Sequence, residues 1–191
     1  MNRAAVEDAV RRLLRALLDG EESAREEELA ELLAETPRRV ANAMAEDLLA
    51  GYRDDPRAIL QPMAARPEDG PVLLAGVRFT AMCAHHLLPF RGVAHVGFTP
   101  AGRRVGLGGV ARLVDVLARR LTLQETLTAA IADEVERALA PRAVLVAVEA
   151  EHLCLSVRGA RKTGHRFRTV ERRGSADPSL EALFFGWPEP S

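Results

Sequence analysis

Apolar residues recur at three- and four-residue spacing near the start of the chain: Val6, Val10, Leu13, Leu14 and Leu17. This spacing predicts an amphipathic helix over residues 3–19, with Gly20 as its stop. A shorter helical pattern runs from Glu26 to Ala34. Thr36-Pro37 has the form of an N-cap followed by proline in the first helical position. It predicts a third helix whose buried stripe is Val40, Met44 and Leu48 and which Gly51 ends. Residues 52–70 contain Pro56, Pro62 and Pro67 with little periodicity and read as a linker.

The pattern changes at residue 71. Val72–Thr80 and Gly92–Phe98 read as strands joined through a turn at Cys83–Pro89. Gly106-Leu107-Gly108-Gly109 forms a bend into a helix with a face of Val110, Leu113, Val114 and Leu117. The next helix places Leu123, Leu127, Ile131, Val135 and Leu139 at intervals of four, and Pro141 closes it. Val144–Val148 is a β-branched strand running directly to His152 and Cys154. Two hairpins bracketing two helices predict an α+β fold, an antiparallel sheet with helices on one face. The expected organisation is a helical arm and linker over 1–70 and a catalytic domain over 71–191.

Composition narrows the function classes. A chain of 191 residues holds one domain with a real core and a small extension. A formal net charge of −1 gives no overall field toward nucleic acid or a membrane surface. No apolar run approaches the roughly 18 residues of a membrane span. The N-terminus leads straight into charged residues, unlike a signal peptide, so a cytoplasmic protein is expected.

Met82–Phe90 and Glu151–Cys154 together hold both cysteines and three of the five histidines. Cys83 and His86 have C-x-x-H spacing, which lets a tight turn present both to one ion. His152 and Cys154, two residues apart, would face the same side if they lay on a strand. Zn²⁺ favours thiolate and imidazole, and a catalytic site leaves one position open. Spacing alone is equally compatible with a closed structural zinc clip or with two buried thiols.

Cys83-Ala84-His85-His86-Leu87-Leu88-Pro89-Phe90-Arg91-Gly92 and Glu149–Gly159 resemble the signatures of GTP cyclohydrolase I. The similarity extends to Glu35–Ala41, the Gly106-Leu107 bend and Leu123–Thr128, in order, over roughly residues 30–175. It implies the tunnelling fold, a four-stranded antiparallel sheet with two helices, assembled as two stacked pentamers in a homodecamer. It implies Cys83, His86 and Cys154 as zinc ligands, with His85 and His152 moving protons. Histidine suits that work because its ordinary pKa, about 6.5, is near working pH. The implied reaction adds water at C8 of the guanine of GTP, opens the imidazole ring and releases formate. The ribose then rearranges and recloses to 7,8-dihydroneopterin triphosphate, on the route to pterins and folate. Glu125, with Gln124 before it, would read the guanine edge. From the residues alone, Thr122-Leu123-Gln124-Glu125 reads instead as a capping box with Thr122 as N-cap.

The resemblance thins at the phosphate positions. Arg39, Arg112 and Arg158 match the family's basic cluster, whereas Asn42 replaces a lysine and Gly108-Gly109 replaces serine-lysine. Ala84 stands where the family has glutamate, and Lys162–Arg168 where it has a serine- and threonine-rich segment. Each hydrogen bond to a charged group contributes about 1.5–3 kcal/mol. Two lost lysines would therefore cost roughly 3–6 kcal/mol, or about 10²- to 10⁴-fold in affinity. The basic run from Arg158 to Arg173 is either a rebuilt anion site or a solvated strand edge. The pattern leaves open the same ring opening on a guanine compound with fewer phosphates, or on a related purine. A non-catalytic zinc- and purine-binding ring protein is the remaining alternative.

Overall fold

The first helical pattern forms α1, Arg3–Leu17, in a computed structural model that describes residues 1–18, 26–66 and 68–186. Gly20, expected to stop that helix, and Pro67 lie outside the described residues. Asn2 caps α1 by accepting the Ala5 N–H at 3.1 Å. The two helices expected next are one, α2 over Glu26–Ala43, with Pro37 inside it. A π-helical turn, Met44–Leu48, continues it. An interior proline forfeits one helical hydrogen bond. Here its ring is buried, and Glu35 bridges across it to Arg38 at 2.6 Å and Arg39 at 3.6 Å. The buried stripe is one residue out from the expected one: Ala41, Ala45 and Leu49 are buried, while Val40, Met44 and Leu48 are half-exposed.

The chain divides into two units, Met1–Ala50 and Gly51–Ser191. In the first, α1 packs on α2, and Leu13 and Leu17 on α1 remain exposed. The segment expected as linker begins the second unit with 3₁₀ turns at Ala50–Arg53 and Pro56–Ala58. It continues into a short strand β1, Met63–Ala64. The Arg120 guanidinium ties these turns down, donating to the Gly51 and Asp54 carbonyls at 2.9 and 2.8 Å.

The three strands expected by residue are present and longer, and the fourth of the expected order, which had no assigned bounds, is Phe167–Gly174. They are β2 (Val72–Cys83), β3 (Pro89–Thr99), β6 (Ala143–His152) and β7 (Phe167–Gly174). Between them lie β4 (Arg103–Arg104), α3 (Leu107–Ala118), β5 (Leu121–Thr122) and α4 (Gln124–Leu139). Strand β4 pairs with β1, and the main sheet has the order β5-β2-β3-β6-β7. It is antiparallel except for the two-residue β5, which runs parallel to the end of β2. This is the strand–strand–helix–helix–strand–strand order of the tunnelling fold.

Strand β6 explains why Val144–Val148 has no polar alternation. Val144, Val146 and Val148 join the core with Leu113, Leu127 and Ile131 of α3 and α4. Leu145 and Ala147 face the other way, against Leu180 and Phe184. These last two belong to α6, Pro178–Phe185, which covers part of the opposite face of the sheet. A strand buried on both faces reads as a continuous apolar run. Gly92 on β3 is dictated by that neighbour, because an added Cβ would lie 1.9 Å from the Glu149 carbonyl oxygen.

Two local expectations are corrected. Thr122 does not cap α4: the N-cap is Leu123 and makes no side-chain cap bond. Thr122 is held in β5 opposite Cys83, and its hydroxyl donates to the Leu123 carbonyl. Cys154 does not continue the strand of His152. The chain leaves the sheet there and enters a one-turn helix α5, Leu153–Ser156.

Candidate active site

The hairpin turn between β2 and β3 sets the first candidate ligands. Cys83 donates its N–H to the Leu88 carbonyl at 2.9 Å, and Leu87 donates back to the Cys83 carbonyl at 2.9 Å. Closing so tight a turn places Leu87 at a φ of 53°, a left-handed conformation that costs a branched residue on the order of 1 kcal/mol or more. The result is that Cys83 Sγ and His86 Nδ1 stand 3.7 Å apart.

Cys154 comes to the same point from α5. Cys83, His86 and Cys154 place one ligand atom each within 4.8 Å of one another. Zn–S of about 2.3 Å and Zn–N of about 2.0–2.1 Å at a tetrahedral angle require an S···N edge of about 3.6 Å. The Cys83–His86 separation of 3.7 Å fits that edge. Both thiols are free of disulfide. Burial, and then the neighbouring Cys83, push the Cys154 thiol above its ordinary range. Such a pair favours a cation between the sulfurs. The donor set is therefore suited to a zinc-type ion with its fourth position open.

These ligands sit in a cleft of about 470 Å³ that also receives His85, Gln124, Glu125 and His152. The His152 ring is held on several sides. Phe90, fully buried, stacks on it at 4.6 Å with the planes 1° apart, and Phe167 meets it edge-on at 5.8 Å. Its Nε2 lies 2.9 Å from Gln124 Oε1.

The orientation of that amide is fixed by its other end. Gln124 Nε2 faces the Val148 and Phe167 carbonyl oxygens, each at 2.9 Å, so the nitrogen must be there to donate. Gln124 Oε1 therefore accepts, and His152 must carry its hydrogen on Nε2. That leaves Nδ1 as the free base. Thr128 and Thr169 complete the buried network with a 2.6 Å hydroxyl contact, and Thr128 donates to the Gln124 carbonyl at 2.7 Å. Burial holds His152 below the usual histidine range, while Glu125 pulls the other way.

The sequence-predicted residues thus separate into two groups. Cys83, His85, His86, Gln124, Glu125, His152 and Cys154 line one cleft. Gln124 is only 1% exposed and commits its side chain to the scaffold and to His152. Arg166 also lines the cleft, whereas Arg112 and Arg158 do not. Arg112, on α3, reaches toward Asp54 at 3.5 Å. Arg39 belongs to α2, beside Glu35. Arg158 is exposed after α5, near enough to Cys154 to favour its thiolate. In the basic run, Arg166, Arg172 and Arg173 pair with Glu149, Glu181 and Asp133.

Sequence reasoning missed His165, Phe90 and Phe167 as parts of the site. Phe90 lay inside a quoted motif, but nothing in a linear pattern shows a ring stacking on a residue of another strand. Among the described residues no helix is long and apolar enough to cross a membrane.

Fold and cleft together define a tunnelling-fold protein whose sheet end carries a Cys83–His86–Cys154 group able to hold a metal, beside an oriented histidine. The sequence pattern that describes GTP cyclohydrolase I matches residues 6–186. The chain is 43% identical over 183 residues to GTP cyclohydrolase 1 of Geobacillus kaustophilus, covering 95% of this chain and 93% of that one. It is 46% identical over 179 residues to GTP cyclohydrolase 1 of Streptomyces griseus, covering 92% and 85%. Among solved structures, an archaeosine synthase QueF-Like protein in the apo form matches 58% of this chain and 99% of its own, at 20% identity and a TM-score of 0.48. The chain belongs to the GTP cyclohydrolase I family.

Proposed function

We propose that this chain is a zinc-dependent hydrolase that opens the imidazole ring of GTP at C8, releases formate and yields 7,8-dihydroneopterin triphosphate for pterin and folate synthesis. The observation that carries this reading is the pairing of a three-ligand metal site with a histidine whose tautomer is set by Gln124. Mere purine binding has no use for an oriented free base, which argues against a non-catalytic ring protein.

The geometry supports the following roles. Cys83, His86 and Cys154 would hold the ion. Zinc bound there supplies a Lewis acid that brings the pKa of water down to about 7. Glu125, exposed in the first turn of α4 at the cleft, accepts the paired N–H groups of the guanine edge. Its neighbour Gln124 acts through His152 and leaves the base edge to Glu125. His152, neutral and with Nδ1 free, takes up the proton released as water adds to C8. His85, exposed on the hairpin turn with its ring centroid 6.1 Å from that of His86, delivers a proton to the departing ring nitrogen. Phe90 and Phe167 exclude water from two sides of the His152 ring.

Arg39, Arg112 and Arg158 are assigned to the triphosphate. Arg112 and Arg158 are not among the residues that line the cleft, and this supports sites completed between subunits of a decamer of two stacked pentamers. The exposed Leu13 and Leu17 of α1 give such an assembly apolar surface to bury. A thiolate metal site also belongs in a reducing compartment, which supports a cytoplasmic protein.

One observation favours a second reading. Arg112 already faces Asp54, and Asn42, Gly108 and Gly109 withdraw side chains from the phosphate set. A guanine compound with fewer phosphates would then be the substrate. The test is to incubate zinc-loaded protein with GTP, GDP, GMP and guanosine and to measure formate and fluorescent pterin. GTP is expected to turn over fastest. GMP turnover equal to or above that of GTP would overturn the triphosphate assignment, and no formate from any of the four would overturn the hydrolase.

A further inference from the structure

His165 has both ring nitrogens committed. Its Nδ1 lies 2.7 Å from the Lys162 carbonyl oxygen. A carbonyl has no hydrogen to give, so Nδ1 carries one and donates it. Nε2 is then an acceptor, and it takes the His152 backbone N–H at 3.1 Å. The two bonds admit a single neutral tautomer and leave no ring nitrogen for a metal or for proton shuttling.

The register explains why an imidazole is needed. Strands β6 and β7 pair down to Ala150 opposite Phe167. Continued two residues further, the same register would set His152 opposite His165. The ladder does not continue, because the chain before Phe167 turns away through left-handed residues Arg161 and Gly164. The His152 N–H, at the end of the sheet, would have no backbone carbonyl opposite it. The His165 side chain supplies the missing acceptor. Its own loop is anchored twice more, by Lys162 N–H to the Leu155 carbonyl at 3.0 Å and by Gly164 N–H to Glu151 Oε1 at 3.3 Å.

We propose that His165 is a positioning residue for the reaction: a neutral imidazole that replaces a strand carbonyl, holds the end of β6 and thereby fixes the His152 ring between Phe90 and Phe167. This rests on the reading of His152 as the proton-transfer group. The anchor matters because His152 and the ligand Cys154 are joined through the same short segment. Freedom at the His152 backbone would loosen the Gln124 bond and the aromatic stack together.

The test uses the zinc-loaded full chain with His165→Ala and His165→Gln, assayed for formate from GTP. His165→Ala is expected to lower kcat about tenfold, as loss of an outer partner of a site residue does. KM should stay within about twofold and zinc content should be unchanged. Glutamine can accept the His152 N–H through its side-chain oxygen, and is expected to recover most of the lost kcat. Unchanged kcat in His165→Ala would overturn the proposal. So would a raised KM at constant kcat, which would mean direct substrate contact, or a glutamine variant as slow as the alanine one. Imidazole ¹⁵N shifts of the unaltered protein give a test that needs neither variant nor turnover. A protonated Nδ1 and a bare Nε2 at His165 are expected, and the opposite tautomer would sink the inference. Wild-type protein that releases no formate but shows this ¹⁵N pattern would fail the functional reading and leave the His165 bond standing.

Discussion

Cys83, His86 and Cys154 bring their ligand atoms within 4.8 Å of one another, and His152 beside them is fixed by a hydrogen bond and two aromatic contacts. Arg112 and Arg158 are exposed, and Arg112 shares its charge with Asp54. The contrast matches what each region must do. Ring opening needs groups held to fractions of an ångström before substrate arrives. A triphosphate is a diffuse charge that flexible arginines can meet after encounter. On the proposed roles, one chain builds the reacting end and leaves the anionic end to be gathered. Asn42, Gly108 and Gly109 fall on the gathered side, while Ala84 and the segment Lys162–Arg168, which brings His165 and Phe167 to the cleft, depart inside the built side. Nothing lies within 4 Å of a Cβ added at Gly108, so packing does not exclude a larger residue there.

The largest effect should come from the built side. Cys154→Ser should lose the ion and lower turnover by more than about 10³-fold, since the metal supplies several kcal/mol of the barrier reduction. Elemental analysis of the purified variant checks the first part and formate release the second. A chelator should do the same to the unaltered protein, and added Zn²⁺ should reverse it. A Cys154→Ser protein that kept both zinc and activity would mean that the ligand set is wrong.

Gln124→Leu should be next. It removes the partner that places the His152 hydrogen on Nε2, and kcat should fall about 10- to 100-fold with zinc retained. It also leaves the Val148 and Phe167 carbonyls without their donor, which should destabilise the fold by about 1–3 kcal/mol. Thermal unfolding measures that cost. A raised KM for GTP at unchanged kcat would instead make Gln124 a reader of the base.

The sequence carried the built side further than the gathered one, for physical reasons. The C-x-x-H turn is local, so its spacing announced the first two candidate ligands. The apolar pattern located α3, α4 and parts of β2, β3 and β6, but not the arginine-rich β7. What failed were inferences that needed knowledge of the next element. Thr122 looked like a cap because nothing local says that it pairs with Cys83. Cys154 looked like a strand residue because the start of α5 has no proline or glycine to mark it. Pro37 looked like a helix start because its burial depends on packing. His165 was hidden inside a run of arginines, where its role depends on a register that can be counted only once β6 and β7 are paired.

Arg112→Ala tests the gathered side. If Arg112 turns from Asp54 to phosphate, its loss should raise KM for GTP about tenfold or somewhat more, with kcat little changed and guanosine turnover unaffected. Equal effects on GTP and guanosine would place Arg112 outside the phosphate site and restore the reading in which Asp54 is its permanent partner.

The smallest effect is a displacement along the pH axis. Burial disfavours the charged imidazolium of His152, so the folded-state pKa lies below the ordinary 6.5. His152 then keeps its base form at pH values where an exposed histidine is already protonated. The acid limb of kcat should accordingly fall below the range of an ordinary histidine, and a bound zinc ion would act in the same direction. Stability carries the opposite sign. As pH drops below 6.5 the unfolded chain takes up a proton at His152 before the folded chain does, so this site destabilises the fold progressively until the folded pKa is passed. Following the His152 ring resonance in zinc-loaded protein checks the sign directly. Glu125 pulls the pKa upward, so Glu125→Gln should move the His152 midpoint further down. A midpoint at or above that of an exposed histidine would show that the stack of Phe90 and Phe167 does not shield the ring, and with it would go the distinction between a site held ready and one assembled on demand.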